Sequence, residues 1–239
     1  MTLSTRIFQL SKNLTFIGPP GSGKGYYGKP LATFWGIPFL STSSILRQST
    51  TALDLDSGKL VDCETVSDTL LNYLSTRFSE DDDSGKPSNF ILDGFPRTVQ
   101  QIEIMNRAWP EHLRVHAAVY LDIPDMVCEQ KMLGRRNCSR CGKSYNVADV
   151  QSDNFDLPPL LPQPTCQVEN CNPDTDWTRR PDDTPAIVRE RLQVHRHHEQ
   201  PILDYYQGQG RLLPLTPYKG AKDMPRIKTS LEEWLTNLK

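Results

Sequence analysis

A glycine-rich loop near the start of the sequence restricts the possible folds more than any other feature. The apolar run Leu14–Ile17 leads into Gly18-Pro19-Pro20-Gly21-Ser22-Gly23-Lys24-Gly25, and a helical pattern follows. In this order of strand, loop and helix, backbone N–H groups and the positive end of a helix dipole point at phosphate oxygens, while Lys24 reaches the outer phosphates. A Gly-rich turn with a surface lysine is the alternative, which the surrounding pattern disfavours. The loop therefore predicts a nucleotide phosphate site.

Strand-like and helix-like segments alternate along the rest of the chain. In Asp62–Phe78, for example, apolar residues recur every four positions from Val66, as on one face of a helix. The predicted strands are Leu14–Ile17, Ile37–Leu40, Phe90–Leu92, Ala117–Leu121 and Leu212–Leu215, and the predicted helices are Ser22–Trp35, Asp62–Phe78, Arg97–Ala108, Pro124–Leu133 and Asp183–Gln207. This alternation favours an α/β fold, with a parallel five-stranded sheet covered by helices on both faces.

Two stretches depart from the alternation. Ser41–Val61 is short and polar, and Arg135–Trp177 is rich in Pro, Asn, Asp and Cys, with neither a helical nor a strand period over most of its length. We expect both to be inserts that project from the sheet. A third segment, Glu80–Lys86, is interpreted as a solvated acidic turn.

The composition is that of a soluble globular protein. The 239 residues are 37% hydrophobic and 23% charged, with a net charge of −2, which excludes a polybasic nucleic-acid binder and a disordered or fibrous chain. The longest uncharged run, residues 30–46, contains Pro38 and several hydroxyl residues and falls short of the roughly 20 apolar residues that a membrane span needs. We therefore expect no membrane span and no nucleic-acid partner.

The first 13 residues form an extension whose composition is loosely that of an organelle transit peptide. They contain Arg6, Lys12 and several hydroxyl groups but no acidic residue. Two positive charges make this a weak signal, and a disordered or strand-extending tail is the alternative. A cytoplasmic location and an organellar one, in a mitochondrion or a plastid, both stay open.

Four of the six cysteines lie close together in the second insert. Cys138 and Cys141 have the spacing of a zinc knuckle, and Cys166 and Cys171 bring the number of thiolates to the four that a structural Zn²⁺ takes. Reduced thiols or a disulfide pair are the alternatives. We expect a closed metal site that stabilises the insert and takes no part in catalysis.

The remaining cysteines and the histidine run receive ordinary interpretations. Cys63 and Cys128 lie in helical patterns, and we expect them to be buried or partly buried. The run His195-Arg196-His197-His198 lacks a third ligand at suitable spacing for a metal, which favours a solvated helix face.

Five segments together carry a family pattern: Gly18–Gly25, Ser41–Arg47, Phe90–Thr98, Gly134–Arg136 and Arg179–Asp183. On these segments the sequence resembles the adenylate kinases, and more broadly the nucleoside monophosphate kinases, over nearly its whole length. The resemblance implies a parallel-sheet core with two mobile inserts, one over the monophosphate and a lid over ATP. The implied organisation is an extension at 1–13, a core at 14–40, 62–134 and 178–239, a monophosphate-binding insert at 41–61 and a lid at 135–177.

The same resemblance implies roles for individual residues. Asp93 matches the carboxylate that holds the water shell of Mg²⁺, and the cations that match those around the phosphates are Lys24, Arg97, Arg135, Arg180 and Arg191. The implied ATP site consists of Gly18, Pro20, Gly21, Ser22, Gly23, Lys24, Gly25, Tyr26, Lys131, Arg135, Tyr145 and Lys222. The implied AMP site consists of Thr42, Arg47, Lys59, Val61, Gly94, Arg97, Gln101, Arg180 and Arg191.

Several positions depart from the family pattern. Gly25 and Tyr26 follow Lys24 where many phosphate-loop enzymes have a hydroxyl residue that touches Mg²⁺. The sequence STSS at 41–44 replaces the usual STGD, and the cover after Arg47 is short. Lys131 stands where the family often has an arginine stacked on the adenine, and a lysine stacks less well than a planar guanidinium.

The expected reaction is ATP + AMP ⇌ 2 ADP, with Mg²⁺. The alternatives are a kinase that uses GTP or prefers UMP and CMP, and a nucleotide-binding pseudoenzyme that has lost turnover. We expect ATP and AMP as the ligands and a monomeric protein.

Overall fold

Five parallel strands form the sheet at the centre of the computed structural model, which describes residues 12–49, 60–78, 89–152, 154–161 and 176–238. The order across the sheet is β10-β4-β1-β3-β2, so the strand before the glycine loop is central. Leu14 lies opposite Ile91 on one side and Ala117 on the other. The strands are β1 (Leu14–Ile17), β2 (Phe39–Ser41), β3 (Ile91–Asp93), β4 (Ala117–Leu121) and β10 (Leu212–Leu215).

Helices cover both faces of this sheet. Along β4, Ala118 and Tyr120 face one apolar cluster, whereas Val119 and Leu121 face another, as the two-residue period of a strand requires. Burying each large apolar side chain contributes about 1.5–3 kcal/mol, so both layers hold the sheet in place. The helices are α1 (Lys24–Trp35), α2 (Thr42–Ser49), α3 (Cys63–Arg77), α4 (Val99–Ala108), α5 (Asp125–Leu133), α6 (Pro185–Gly208) and α7 (Met224–Asn237).

Side-chain caps define where several helices begin. Asp62 accepts a hydrogen bond from the backbone N–H of Thr65 at 2.9 Å, and Thr98 accepts one from Gln101 at 3.1 Å. Thr184 does the same before α6, where Pro185 occupies the first helical position. Each cap satisfies an N–H group that the first turn of a helix leaves without a partner.

The segment between α5 and α6 contains two small sheets. Strands β5 (Arg135–Cys138), β6 (Ser144–Asn146) and β9 (Trp177–Thr178) form a three-stranded antiparallel sheet. Strands β7 (Val150–Gln151) and β8 (Asp156–Leu157) form a hairpin, whose residues Val150 and Leu157 pack with α5 and α6. The hairpin thus joins this segment to the core.

The predicted α/β fold and its five parallel strands are confirmed. Strands β1, β4 and β10 have the predicted bounds, whereas β2 begins two residues later and β3 one residue later than expected. The described part of the expected insert at Ser41–Val61 contains α2, whose Ile45 and Leu46 pack into the core. Helix α7 was not predicted. Residues 1–11 of the extension at 1–13 and the acidic turn at Glu80–Lys86 lie outside the described residues.

The described helices also bear on the membrane question. None of them is both long enough and apolar enough to cross a bilayer.

Candidate active site

The glycine loop closes against the connection between β4 and α5. Gly18 and Gly21 have φ values of +145° and +91°, which side-chain-bearing residues rarely adopt. A Cβ atom on Gly18 would lie 2.7 Å from the carbonyl oxygen of Leu121, and one on Gly21 would lie 2.6 Å from that of Cys128. Glycine is therefore needed at both positions, for conformation and for close approach. Gly23 completes the loop as the N-cap residue of α1.

Lys24, the first residue of α1, reaches back over this loop. Its Nζ donates hydrogen bonds to the carbonyl oxygens of Gly18 at 2.7 Å and Pro19 at 2.9 Å. Burial lowers the pKa of Lys24 to about 8, and the nearby Asp93 carboxylate opposes that shift. A phosphate group at the loop would give this ammonium a charged acceptor in place of neutral carbonyls.

Asp93 and Arg97 lie at the carboxyl end of β3, beside the loop. The Nε of Arg97 donates to the carbonyl oxygen of Gly94 at 3.0 Å. Arg97 has solvent-exposed surface, yet the surrounding protein removes enough water to lower the pKa of its guanidinium, against the attraction of Asp93. A Cβ atom on Gly25 would lie 3.9 Å from Oδ2 of Asp93, so the position after Lys24 leaves room in front of this carboxylate.

A second group of cations lies on β5, on α6 and in the segment between them. Nη2 of Arg135 lies 3.3 Å from Oδ1 of Asp183, and Arg191 forms an ion pair with Asp182. Burial lowers the pKa of Arg135 to about 10, with a further contribution from the exposed Arg180 and an opposing one from Asp183. Each of these two arginines therefore lies beside a buried carboxylate.

Arg191 lies near both groups of cations. Arg191 lies close enough to affect the titration of Lys24, Arg97 and Arg135 alike, and each of these effects lowers the pKa because like charges repel. Positive groups crowded in this way, at the carboxyl ends of parallel strands, favour the binding of a polyanion.

Two buried polar side chains lie after the carboxyl ends of β2 and β3. Thr42 is 3% exposed, and its Oγ1 has no hydrogen-bond partner among the described residues. Gln101 is 2% exposed, and its Oε1 accepts a hydrogen bond from the backbone N–H of Arg97 at 2.7 Å. Gln101 is thus almost wholly buried, although Gln is usually found on the surface.

The structure defines the surroundings of the other residues of the implied AMP site less fully. Gly94 follows β3 with a φ of +86° and packs against the side chain of Arg97. Arg47 is exposed in the last turn of α2, and Val61 packs at the edge of the core. Lys59 lies outside the described residues.

The sequence comparisons agree with this geometry. A sequence model of one protein family, described as "Adenylate kinase", matches residues 16–211 of this chain. The chain belongs to the adenylate kinase family. The family membership that the sequence segments indicated is therefore confirmed.

Several relatives align with most of this adenylate kinase family member. "Probable adenylate kinase 1, chloroplastic" from Oryza sativa subsp. japonica is 38% identical over 209 residues, which cover 83% of this chain and 67% of the relative. "Adenylate kinase" from Solanum tuberosum is 38% identical over 213 residues, covering 83% and 68%. "Adenylate kinase" from Kosmotoga olearia is 34% identical over 236 residues, covering 95% and 100%.

Three residues that the family resemblance assigned to ATP contact other parts of the protein in this structure. Nζ of Lys131 donates to the carbonyl oxygens of Ala148 at 3.0 Å and Leu157 at 2.9 Å, so it joins the segment that contains the β7–β8 hairpin to α5. Tyr145 is buried and stacks on Trp177, with ring centroids 5.3 Å apart. Nζ of Lys222 lies 3.5 Å from Oδ2 of Asp156, between the core and the β7–β8 hairpin.

The remaining residues of the predicted ATP site lie in or beside the loop. Ser22 is buried and donates its backbone N–H to the carbonyl oxygen of Pro19 at 3.1 Å. Pro20 follows in the same turn. The ring of Tyr26 meets that of Tyr27 edge to face.

Two of the four predicted zinc ligands are described. Cys138 ends β5, and its carbonyl oxygen accepts the N–H of Gly142 at 3.0 Å in a tight turn that also contains Cys141. Cys166 and Cys171 lie outside the described residues. Within the part of the chain that the structure describes, no group of three or more potential ligands is close enough to hold a metal ion. Cys63 is partly buried and Cys128 is buried, as predicted.

Sequence reasoning missed a buried polar network on α6. The interpretation of the histidine run as a solvated face was wrong for His195, whose side chain is 17% exposed and whose Nε2 lies 2.8 Å from Oε1 of Glu199. Burial lowers the pKa of His195, while the hydrogen bond with Glu199 opposes that shift. The i, i+4 spacing of His195 and Glu199 was the available signal, because it places both on one helix face.

Proposed function

We propose that this chain catalyses the reversible transfer of the γ-phosphoryl group of ATP to AMP, which produces two molecules of ADP. The observation that carries the proposal is the convergence of Lys24, Arg97, Arg135 and Arg191 beside the glycine loop. Phosphoryl transfer requires alignment of the reactants and positive charge around the transferred oxygens, and it needs no covalent intermediate with the protein.

The chemical step can be written from these groups. An oxygen of the AMP phosphate attacks the γ-phosphorus of ATP, and the bond between that phosphorus and the β,γ-bridging oxygen breaks, so one ADP forms and the other leaves. The loop N–H groups and Lys24 hold the donor phosphates. Arg97, Arg135 and Arg191 stabilise the negative charge that spreads over the transferred phosphoryl group. Asp182 and Asp183 orient the two lid-side arginines before substrate arrives.

The same site fits a divalent cation that accompanies ATP. Asp93 offers a carboxylate at the end of β3, and the absence of a side chain at Gly25 leaves room in front of it. The sequence supplies no hydroxyl ligand after Lys24, so we expect Asp93 to act through bound water. When present, Mg²⁺ offsets part of the negative charge of the phosphates.

The orientation of Gln101 supports a preference for adenine at the acceptor site. Because the backbone N–H of Arg97 can only donate, the atom that faces it must be Oε1, so the amide Nε2 faces away. Nε2 makes no hydrogen bond with any described residue and is available as a donor to a base. Adenine N1 is an acceptor, whereas guanine N1 and uracil N3 carry hydrogens and would oppose this donor. Cytosine N3 is also an acceptor, so CMP is the competitor to test.

A coupled assay with a panel of nucleotides tests this proposal. We expect ADP formation from ATP with AMP, weaker turnover with CMP, and little with UMP or GMP. Each acceptor is also assayed with GTP in place of ATP. Turnover with UMP above that with AMP would contradict the acceptor assignment. ATP binding without turnover of any monophosphate would instead indicate a pseudoenzyme.

We propose in addition that the lid holds a structural zinc ion through Cys138, Cys141, Cys166 and Cys171. The C-x-x-C pair in a tight turn after β5 supports half of this ligand set. Metal analysis should find about one equivalent of Zn²⁺ in the purified protein, a loss in Cys138→Ser and no loss in Cys63→Ser. Less than about half an equivalent in the unmutated protein would contradict the proposal.

An organellar location is the alternative that the comparisons support. Relatives from Oryza sativa and Arabidopsis thaliana carry "chloroplastic" in their names. We propose that this chain acts in an organelle, a plastid where its cell has one. Fusion of residues 1–13 to a fluorescent protein tests whether the extension directs import; diffuse cytoplasmic signal from both this fusion and a full-length fusion would contradict the proposal.

A further inference from the structure

The buried network on α6 reaches the part of the backbone that supports the phosphate loop. The guanidinium of Arg196 donates from Nε to Oδ1 of Asp125 at 2.8 Å and from Nη2 to the carbonyl oxygen of Ile123 at 2.9 Å. Its Nη1 donates to Oε2 of Glu199, and a longer contact joins it to the hydroxyl of Tyr120 at 3.4 Å. Arg196 therefore binds the end of β4, the connection after it and the first turn of α5.

Glu199 fixes the guanidinium from the other side. It is buried, and its two oxygens are divided between Arg196 and Nε2 of His195. The carboxylate is thus held on both sides, so the arginine fork has one orientation. A planar fork with several acceptors in place is stiffer than a lysine ammonium on the same backbone would be.

The backbone that Arg196 holds is the backbone on which the loop rests. Leu121 and Cys128, whose carbonyl oxygens leave no room for a Cβ atom on Gly18 or Gly21, lie on either side of Ile123 and Asp125. The thiol of Cys128 also points at the carbonyl oxygen of Ile123, at 3.9 Å. Because these glycines are packed closely against that backbone, a shift of the β4–α5 connection would displace the loop N–H groups that face phosphate.

We infer that Arg196, oriented by Glu199, is a positioning residue for the donor phosphate site. It touches no substrate and acts through the β4–α5 connection on the loop from Gly18 to Gly23. The inference rests on the proposed function, because it assigns this support to the ATP half of the cleft. Loss of the Arg196 guanidinium should therefore weaken the binding of ATP and leave the binding of AMP unchanged.

Two variants and a matched control test the inference. Arg196→Lys keeps the charge but cannot reach Asp125, Glu199 and the Ile123 carbonyl together, and Glu199→Gln keeps the size but loses the charge that orients the fork. Arg189→Gln is the control, since Arg189 also joins α6 to α5, through Glu129 at 2.8 Å, without contacting the connection. For each protein, the Kd of ATP is measured by equilibrium titration, the KM of each substrate by steady-state assay, and the Tm by calorimetry.

We expect Arg196→Lys and Glu199→Gln to raise the Kd and KM for ATP roughly tenfold, the size expected when one charge-assisted hydrogen bond no longer supports a bound group. The KM for AMP should change less than twofold in both variants, and Arg189→Gln should match the wild type. A lower Tm with an unchanged Kd for ATP would show a purely structural role and overturn the inference. An equal rise for ATP and AMP, or a Glu199→Gln that behaves as the wild type, would overturn it too.

The titration also separates this inference from the proposed function. If the wild type binds ATP but transfers no phosphoryl group, the proposed function fails, and the Kd of ATP in the variants still decides the positioning role.

Discussion

The donor and acceptor halves of the cleft are built in different ways. In the donor half, Lys24, Arg135 and Arg191 each have a carbonyl or carboxylate partner within the protein, and the loop rests on backbone that is itself held in place. In the acceptor half, Thr42 has a buried hydroxyl without a hydrogen bond among the described residues. The protein thus holds positive charge in place where negative charge develops in the reaction. It leaves the hydrogen bonding of Thr42 to be completed by the acceptor.

Removal of the loop ammonium should have the largest effect. Lys24→Met should lower kcat roughly 10²- to 10³-fold, because one preorganised charged donor to the transferred group is lost. Lys29→Met is the control, since Lys29 lies exposed on the same helix. The coupled assay measures both. If Lys24→Met kept more than about a tenth of the wild-type kcat, the donor half would have no part in the chemical step.

The second-largest effect should be the pH dependence of kcat/KM for ATP, which depends on the donor half. With a pKa of about 8, Lys24 is charged below pH 8 and loses its proton as the pH rises through that value. We expect kcat/KM for ATP to fall roughly tenfold between pH 7 and pH 9. The profile of kcat should stay level to higher pH, because bound phosphate favours the charged lysine. A flat kcat/KM profile, with circular dichroism showing an intact fold, would contradict this.

At the acceptor end a smaller change is expected. Gln101→Leu should raise the KM for AMP roughly fivefold and reduce the preference for AMP over UMP by a similar factor, since one neutral hydrogen bond is lost. The KM for ATP should be unaffected. Gln100→Leu, on the exposed side of the same helix, is the control. If ATP and AMP were affected alike, Gln101 would not belong to one half of the cleft.

The smallest catalytic effect should come from Lys131. Because its ammonium binds the carbonyl oxygens of Ala148 and Leu157, Lys131→Met should lower the free energy of unfolding by about 1 kcal/mol and change the KM for ATP less than twofold. Urea denaturation measures the first quantity, and exposed Lys143→Met is the control. A large rise in the KM for ATP at unchanged stability would restore the adenine-stacking role.

The sequence predicted the donor half better than the rest because that half is local. The loop, its glycines and Lys24 lie within eight consecutive residues, and the strand and helix around them follow simple periods. Helix α7 was missed although its apolar residues recur every three or four positions, at Ile227, Leu231, Trp234 and Leu235, and pack against the core. The partners of Lys131 lie 17 and 26 residues away and depend on how the hairpin folds back.

Burial was the other quantity that the sequence did not contain. His195 and Glu199 share a helix face by spacing alone, but that face is covered by residues of β4 and α5, which only the tertiary structure brings there. The same holds for Gln101, whose position on α4 did not reveal that it is almost wholly buried.

A crystal structure with two adenosines joined through five phosphates tests the central claim most directly. We expect the linking phosphates to contact the backbone N–H groups of Gly21–Lys24 on one side and Arg97, Arg135 and Arg191 on the others, with one adenine beside Gln101. Linking phosphates bound away from Lys24 and Arg97 would contradict the account.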